Sequence, residues 1–293
     1  MKHQFIDAHR AHYPVQRLCR VLRVSASGYY AARSRQASVR SQHQVALTAR
    51  IETIHRASRA TYGAPRIHAE LKSTGHACCK NTVATLMKKA GIVPKTVQRF
   101  KVTTDSRQTK ASPNLLGRVF TASRPNERWL TDITFISTRA GWLYLAAILD
   151  LYSRAIVGWS MRERMDGKLV MDALNMALDR RSTAPDMLHS DQGSLYAMAA
   201  YRAALAEKGI RQSMSRKGNC WDNAPMESFF HSLKTELVMH CDYRTREEAR
   251  ASVFEYMEVF YNRQRRHSSL HYASPLEFET MQQPPIRAST ERG

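Results

Sequence analysis

Apolar positions recur with a helical period in the first third of this chain and with a mixed strand and helix pattern after residue 125. From Pro14 to Leu22, the residues Val15, Leu18, Cys19 and Leu22 share one helical face, and Pro14 suits a first helical turn. Ser25 is placed to cap a second short helix, so residues 1–44 predict a small helical hairpin of helix-turn-helix type. Leu47, Ile51 and Ile54 mark a further helix, and Pro65 opens another that carries Ile67 and Leu71. A turn at Gly75 follows. Asn81 or Thr82 is expected to cap a third helix with Val83, Leu86, Met87 and Ala90 facing inward and Gly91 ending it. Residues 45–94 therefore read as a three-helix helix-turn-helix unit. Residues 95–124 show no apolar period, are polar and basic (Lys95, Arg99, Lys101, Arg107, Lys110), and read as a linker.

Beyond Arg124-Pro125 the pattern changes. Trp129 to Ile136, Trp142 to Leu149 and Ala155 to Trp159 predict three consecutive strands separated by short turns. A helix over Lys168 to Arg181, a strand at Met187 to Ser190, a helix from about Ala197 to Lys208, and a strand at Ile210 to Met214 come next. After a polar loop from Ser215 to Asn223, Pro225 starts a long helix. The order β-β-β-α-β-α-β-α implies an α/β fold with a ribonuclease H-like, mixed five-stranded sheet flanked by helices, preceded by all-α helix-turn-helix modules. This unit is expected over residues 125–280 with C-terminal helices, and residues 281–293 as a flexible tail.

Charge sharpens the division. The 293 residues carry a formal net charge of +20, with a pI near 10.1. Residues 1–112 hold 21 Lys+Arg against 4 Asp+Glu, whereas the remainder holds 24 against 21. A front half that attracts polyanions and a back half able to concentrate carboxylates point to nucleic-acid binding and chemistry in separate modules. Arg10, Arg17, Arg20 and Arg23 decorate the first hairpin, and the third helix of residues 45–94 presents Lys80, Asn81, Thr85, Lys88 and Lys89 outward. That mixture suits phosphates and base edges of double-stranded DNA. Five cysteines without a C-x-x-C pair read as reduced thiols of a cytoplasmic protein, and His68, His76, Cys78 and Cys79 lack the paired spacing of a zinc module. No signal peptide is expected from Met1 to Val15, and no apolar run approaches the ~20 residues that span a bilayer.

The candidate chemistry lies in three acids. Asp132 alternates with Leu130, Thr134 and Ile136 in a strand apolar enough to be central, where an uncompensated charge is costly. Asp191 follows the apolar pair Met187-Leu188 at a strand end. Glu227 lies in the last helix, beside the stripe Met226, Phe229, Phe230, Leu233 and Leu237, and at ~100° per residue it shares a rim-facing side with His231 and Lys234. Converging carboxylates of this kind could hold two divalent ions, Mg²⁺ or Mn²⁺, for in-line phosphoryl transfer. Asp150 and Asp222 sit in turns, where Asp is common, and are expected to shape the chain rather than join the three.

Three strings make these residues recognisable: Trp129-Leu130-Thr131-Asp132-Ile133-Thr134, His189-Ser190-Asp191-Gln192-Gly193-Ser194-Leu195-Tyr196, and Asp222-Asn223-Ala224-Pro225-Met226-Glu227-Ser228-Phe229-Phe230. With 35 residues between Asp191 and Glu227, the chain resembles the second open-reading-frame product of the insertion sequence three family of bacterial transposases, which is related to retroviral integrases. Tyr62-Gly63-Ala64-Pro65-Arg66-Ile67-His68, Leu149 to Trp159, and Tyr261-Asn262 through Arg266-His267-Ser268 to Ser274-Pro275 extend the resemblance over nearly the whole chain. It implies that Asp132, Asp191 and Glu227 are metal-binding catalytic acids and that Lys234 contacts transposon-end DNA. The implied reaction is nicking at the ends of the element followed by attack of the freed 3′ hydroxyl on another phosphodiester. A homo-oligomer assembled on terminal-repeat and target DNA is expected, because joining two ends needs two active sites, and so is a location on the bacterial nucleoid. The resemblance also implies an upstream open-reading-frame product as a partner or frameshift fusion, since no heptad pattern is sustained here. A ribonuclease H-like nuclease or a non-catalytic DNA-binding regulator are the alternatives, and the second leaves the acids without a purpose.

Overall fold

The computed structural model describes residues 2–34, 36, 38–95, 112–216 and 220–282. Most of the expected basic linker (96–111, with Arg99, Lys101, Arg107 and Lys110), positions 217–219 of the polar loop and nearly all of the expected tail lie outside the described residues.

Three short helices come first: α1 (Lys2–His9), α2 (Val15–Leu22) and α3 (Ala26–Ser34). The sequence pattern predicts only the last two. They enclose a small core of Ile6, Cys19 and Tyr29, with the Tyr29 hydroxyl donating to Asp7 Oδ1 at 2.7 Å, and Ser25 caps α3 by accepting from Gly28 N at 3.0 Å. The second unit comprises α4 (Val39–Ala57), α5 (Ala64–Ser73) and α6 (Lys80–Lys89). Here the expected cap is corrected. Helix α6 begins before Asn81, and its N-cap is Cys79, whose sulfur accepts from Thr82 N at 3.4 Å. A thiol, placed by extended backbone at Cys79, takes the part normally read from oxygen side chains. Gly91, with φ +69, follows the helix in the left-handed region as expected.

The sheet contains β1 (Arg128–Thr138), β2 (Gly141–Asp150), β3 (Ile156–Arg162), β4 (Met187–Ser190) and β5 (Arg211–Met214), in the order β3-β2-β1-β4-β5. The first three strands form an antiparallel meander, and β4 and β5 add in parallel through α7 (Gly167–Arg180) and α8 (Ala199–Glu207). Strand alternation sends Trp129, Ala146, Ile148 and Leu188 against α7 and α8. Leu130, Ile136, Leu143 and Leu145 face the opposite way, against α9 (Ala224–Glu236) and α10 (Arg246–Glu255). Helix α10 runs on as a π-helical turn over Tyr256–Tyr261, and α11 (Pro275–Gln282) follows. This is the mixed five-stranded, ribonuclease H-like sheet flanked by helices and preceded by helical modules that the sequence predicts.

Residues 112–124, expected as the end of the linker, are packed on this body. Met214 N donates to the Pro113 carbonyl at 3.4 Å, Leu115 N and Leu116 N donate to Ser213 Oγ, and Leu116 is buried. The segment covers the free edge of β5, a role that leaves no apolar period to read.

Gly158 of β3 meets α7 so closely that a Cβ there would lie 2.4 Å from the Ala173 carbonyl oxygen and 2.6 Å from Ala177 Cβ. Gly158→Ala should therefore destabilise the protein by about 1–3 kcal/mol through overpacking, read as a lower urea midpoint at constant m-value.

Candidate active site

The parallel pairing of β1 with β4 sets the first two acids. Its last registered pair is Leu130 with His189, and Asp132 and Asp191 each lie two residues further on. Continuing that register brings both acids to one level of adjacent strands, which stand ~4.8 Å apart. Asp132 is still within β1, opposite Ala147 of β2, while Asp191 has passed the end of β4. Its Oδ1 accepts from Gly193 N at 2.9 Å, an Asx turn that folds the chain back. A Cβ at Gly193 would lie 2.8 Å from that same oxygen. Gly193 is thus part of the site, and the signal for it is the Asp-Gln-Gly spacing itself. One oxygen of Asp132 accepts from Ile133 N at 2.7 Å, so each aspartate has one oxygen tied to backbone.

Glu227 stands in the first turn of α9, half-buried, on the sheet face shared by Leu130 and Ile136. The entry to α9 is held by two buried residues. Asp222 accepts from Arg216 N, Arg216 Nε and Nη2, Arg118 Nε and Asn114 Nδ2, all between 2.8 and 3.0 Å. These bonds to its charged form, led by Arg216, hold its carboxyl well below the ordinary carboxylate range. Asn223 Nδ2 donates to the Thr131 carbonyl at 3.3 Å, tying the loop to the residue before Asp132. Asp222 shapes the loop, as the sequence suggests, whereas the part of Asn223 depends on β1 lying beside it and has no sequence signal.

Electrostatics link the acids. Burial, and then the charge of Asp191, push the Asp132 carboxyl well up, with Glu227 adding to the rise and Lys234 opposing it. Burial also raises Asp191 and Glu227. Lys234, half-buried on α9, has its ammonium 5.0 Å above the ring of Phe135; burial lowers its proton affinity and Asp132 raises it. Phe135, half exposed at 49%, is a neighbour the sequence reading does not supply. His231, on the same helix, is exposed. Among the described residues, no group of three His, Cys, Asp or Glu side chains is gathered tightly enough to hold one metal ion. Asp132 thus feels all three charged neighbours.

The other readings resolve locally. Asp150 is fully buried, accepts from Asn126 N and Tyr152 N at 3.0 Å, and lies 3.8 Å from Arg181, so it anchors a turn; burial pushes its carboxyl up to about 6. His189 of β4 bridges Ser213 Oγ at 2.8 Å and Ser215 Oγ at 3.1 Å, and burial lowers it to about 4, keeping it neutral. On α6, Lys80, Asn81, Thr85, Lys88 and Lys89 are all exposed, while Val83, Leu86 and Met87 are buried behind them. The helix therefore offers one polar, basic face. No helix among the described residues is long and apolar enough to cross a membrane.

The sheet order and the preceding three-helix unit define a class, the integrase-core proteins. Residues 122–220 and 227–282 match two integrase core domain families, and residues 42–100 match an HTH-like domain family. Transposase InsF for insertion sequence IS3A of Escherichia coli (strain K12) is 43% identical over 283 residues, 95% of this chain and 98% of the relative. The insertion element IS600 uncharacterized 31 kDa protein of Shigella sonnei is 43% identical over 263 residues, 89% of this chain and 97% of the relative. A chain of the simian T-cell lymphotropic virus intasome in complex with PP2A regulatory subunit B56 gamma superposes with a TM-score of 0.47 at 15% identity, covering 77% of this chain and 74% of that one. The chain belongs to the IS3 family of transposases.

Proposed function

We propose that this transposase is a DDE-type enzyme in which Asp132, Asp191 and Glu227 hold two Mg²⁺ or Mn²⁺ ions. It nicks DNA at the ends of its insertion sequence and directs the freed 3′ hydroxyl onto a second phosphodiester. The observation that carries this reading is the parallel register of β1 and β4, whose continuation past Leu130 and His189 levels Asp132 with Asp191, where burial and mutual repulsion make the charged form of Asp132 costly. A bound cation offsets that cost, and an all-oxygen donor set suits hard divalent ions rather than zinc. When bound, the ions supply activation of the attacking oxygen and stabilisation of the leaving one.

The chain's own residues prepare this chemistry. Ile133 N and Gly193 N fix one oxygen of each aspartate and so orient the other. Lys234, beside Asp132, offers a positive charge to the end DNA, and the exposed face of α6 offers Lys80, Asn81, Thr85, Lys88 and Lys89 to the duplex. Two ends require two such sites, so the active form is a homo-oligomer on DNA, and the upstream open-reading-frame product is its expected partner.

Incubation with Mg²⁺ and a labelled element end tests the reading. Joined products are expected; nicks alone would assign a nuclease, and retardation alone a DNA-binding regulator. The Mg²⁺ concentration for half-maximal cleavage should rise as pH falls, beginning above the ordinary aspartate value of 3.8, because protons compete for Asp132 and Asp191 more strongly than for free acids. For α6, Lys88→Ala with Lys89→Ala should weaken DNA binding across sequences and reduce the slope of log K against log salt by about 2, measured by fluorescence anisotropy.

A further inference from the structure

The segments 62–68 and 261–268 take no part in the carboxylate site, yet they meet each other. The Tyr62 hydroxyl accepts from Arg266 N at 2.8 Å, from a residue 204 positions away, and donates to the Gln264 carbonyl at 3.1 Å. The Arg266 guanidinium pairs with Glu70 of α5 through Nε, and Nη2 donates to Ser73 Oγ at 2.9 Å. Arg66 of α5 lies 3.7 Å from Glu236, which also receives Arg265 Nε and Nη2 and the Tyr256 hydroxyl. Arg59, just after α4, pairs with Glu255 of α10 and stands 4.9 Å over the Phe260 ring. Tyr62, Glu70 and Ser73 thus join the three-helix unit to the turn at 264–266, Arg66 joins it to α9 and Arg59 to α10, while Arg265 ties that turn to α9.

Two features make this more than a set of surface ion pairs, which contribute little when solvated. The side chains of Arg265, Glu236 and Arg266 are only 5%, 9% and 14% exposed. Tyr62 belongs to an apolar core that runs without interruption from Leu47, Ile51 and Leu71 to Tyr256 and Phe260. A continuous apolar interface restrains domain motion. Moreover, Glu236 lies nine residues beyond Glu227 on the same helix, ~13.5 Å along its axis.

We propose that Tyr62, Arg66, Glu70, Arg265 and Arg266 form a clamp that fixes the three-helix unit against α9 and thereby sets which phosphodiester is cut. Sequence contacts made by α6 and the acids of the cutting site then keep a constant separation, and the clamp measures the cleavage position from the bound DNA. These are positioning residues, and the inference rests on the reading of α6 and the three acids given above.

The test is a charge exchange, with cleavage position on a labelled element end read at single-nucleotide resolution. Glu70→Arg and Arg266→Glu alone should lower cutting at the wild-type phosphodiester by about a hundredfold, the scale of a small misplacement, with new nicks at neighbouring positions. The paired exchange, which conserves net charge, should restore both the wild-type position and the wild-type DNA affinity. Tyr62→Phe, which removes one hydroxyl and retains the core, should shift position in the same direction but less, and it serves if either charge variant fails to fold. Loss of yield without any change of position, or no rescue by the pair, would overturn the clamp. Small-angle scattering of the DNA-free proteins, all with Asp132 intact, separates the two readings. Expansion in the single variants and its reversal in the pair, with no cutting by any protein, would leave the clamp and remove the catalytic assignment; unchanged dimensions would remove the clamp.

Discussion

Asp132→Asn is expected to abolish end cleavage and joining while making the metal-free protein more stable. The activity loss, about 10³-fold or more, follows if the charged oxygens of Asp132 hold the ions, since an amide binds a divalent cation poorly. The gain in stability follows from the same charge. Burial and the charge of Asp191 raise the Asp132 carboxyl above its ordinary value, so in the folded protein the ionised form is disfavoured relative to the unfolded chain. Such a group costs stability when pH is above its raised value, and the cost is recovered as pH falls towards 3.8. Asparagine keeps the shape and the acceptor for Ile133 N and removes the charge. Thermal unfolding in chelator should therefore give a higher Tm for the variant, and saturating Mg²⁺ should raise the wild-type Tm more than the variant's. A lower Tm in chelator would mean that Asp132 is held by a fixed partner, and it would cease to be a candidate ligand.

The second large effect is on stability alone. Arg265→Met should cost about 3–5 kcal/mol, because it leaves the carboxylate of Glu236 buried without its main cation. Arg265 donates to that carboxylate through Nε at 2.8 Å and Nη2 at 2.6 Å; what remains is the Tyr256 hydroxyl at 2.7 Å and Arg66 at 3.7 Å. Pairing with Glu236 is also what keeps Arg265 charged against its own burial. Urea unfolding should show a lower midpoint at constant m-value. The double variant Arg265→Met, Glu236→Leu should lose less than the sum of the single losses, since no charge is then left unpaired. Additive losses would show that the two side chains act independently.

The effect of both charges depends on their depth in the fold, which local sequence encodes unevenly. Elements with a strong period were legible: the three-strand meander, the two crossover helices and α9 fall within a few residues of their expected bounds. Helix α1 was not, because its core contribution is Ile6 alone, too little to make a period. Residues 112–124 read as linker because a segment that covers a strand edge through Pro113 and Ser213 carries no repeating pattern. The Cys79 cap carries no sequence signal, because a thiol is a weak acceptor and seldom caps a helix.

The site divides in the same way. Alternation along β1 placed Asp132 on the face of Leu130 and Ile136, the end of β4 placed Asp191, and helical angle placed Glu227 beside Lys234. Those are local properties, fixed by backbone geometry over a few residues, and the amino-acid sequence by itself determined them. Only tertiary structure decided that β1 and β4 are parallel neighbours in the register that levels the two aspartates, that Asn223 reaches the Thr131 carbonyl, and that Phe135 lies under Lys234. It alone also brought Tyr62 to Arg266. Each of these contacts joins residues far apart in the chain, and their pairing is chosen by which apolar faces bury against one another, a property of the whole core that no local window contains.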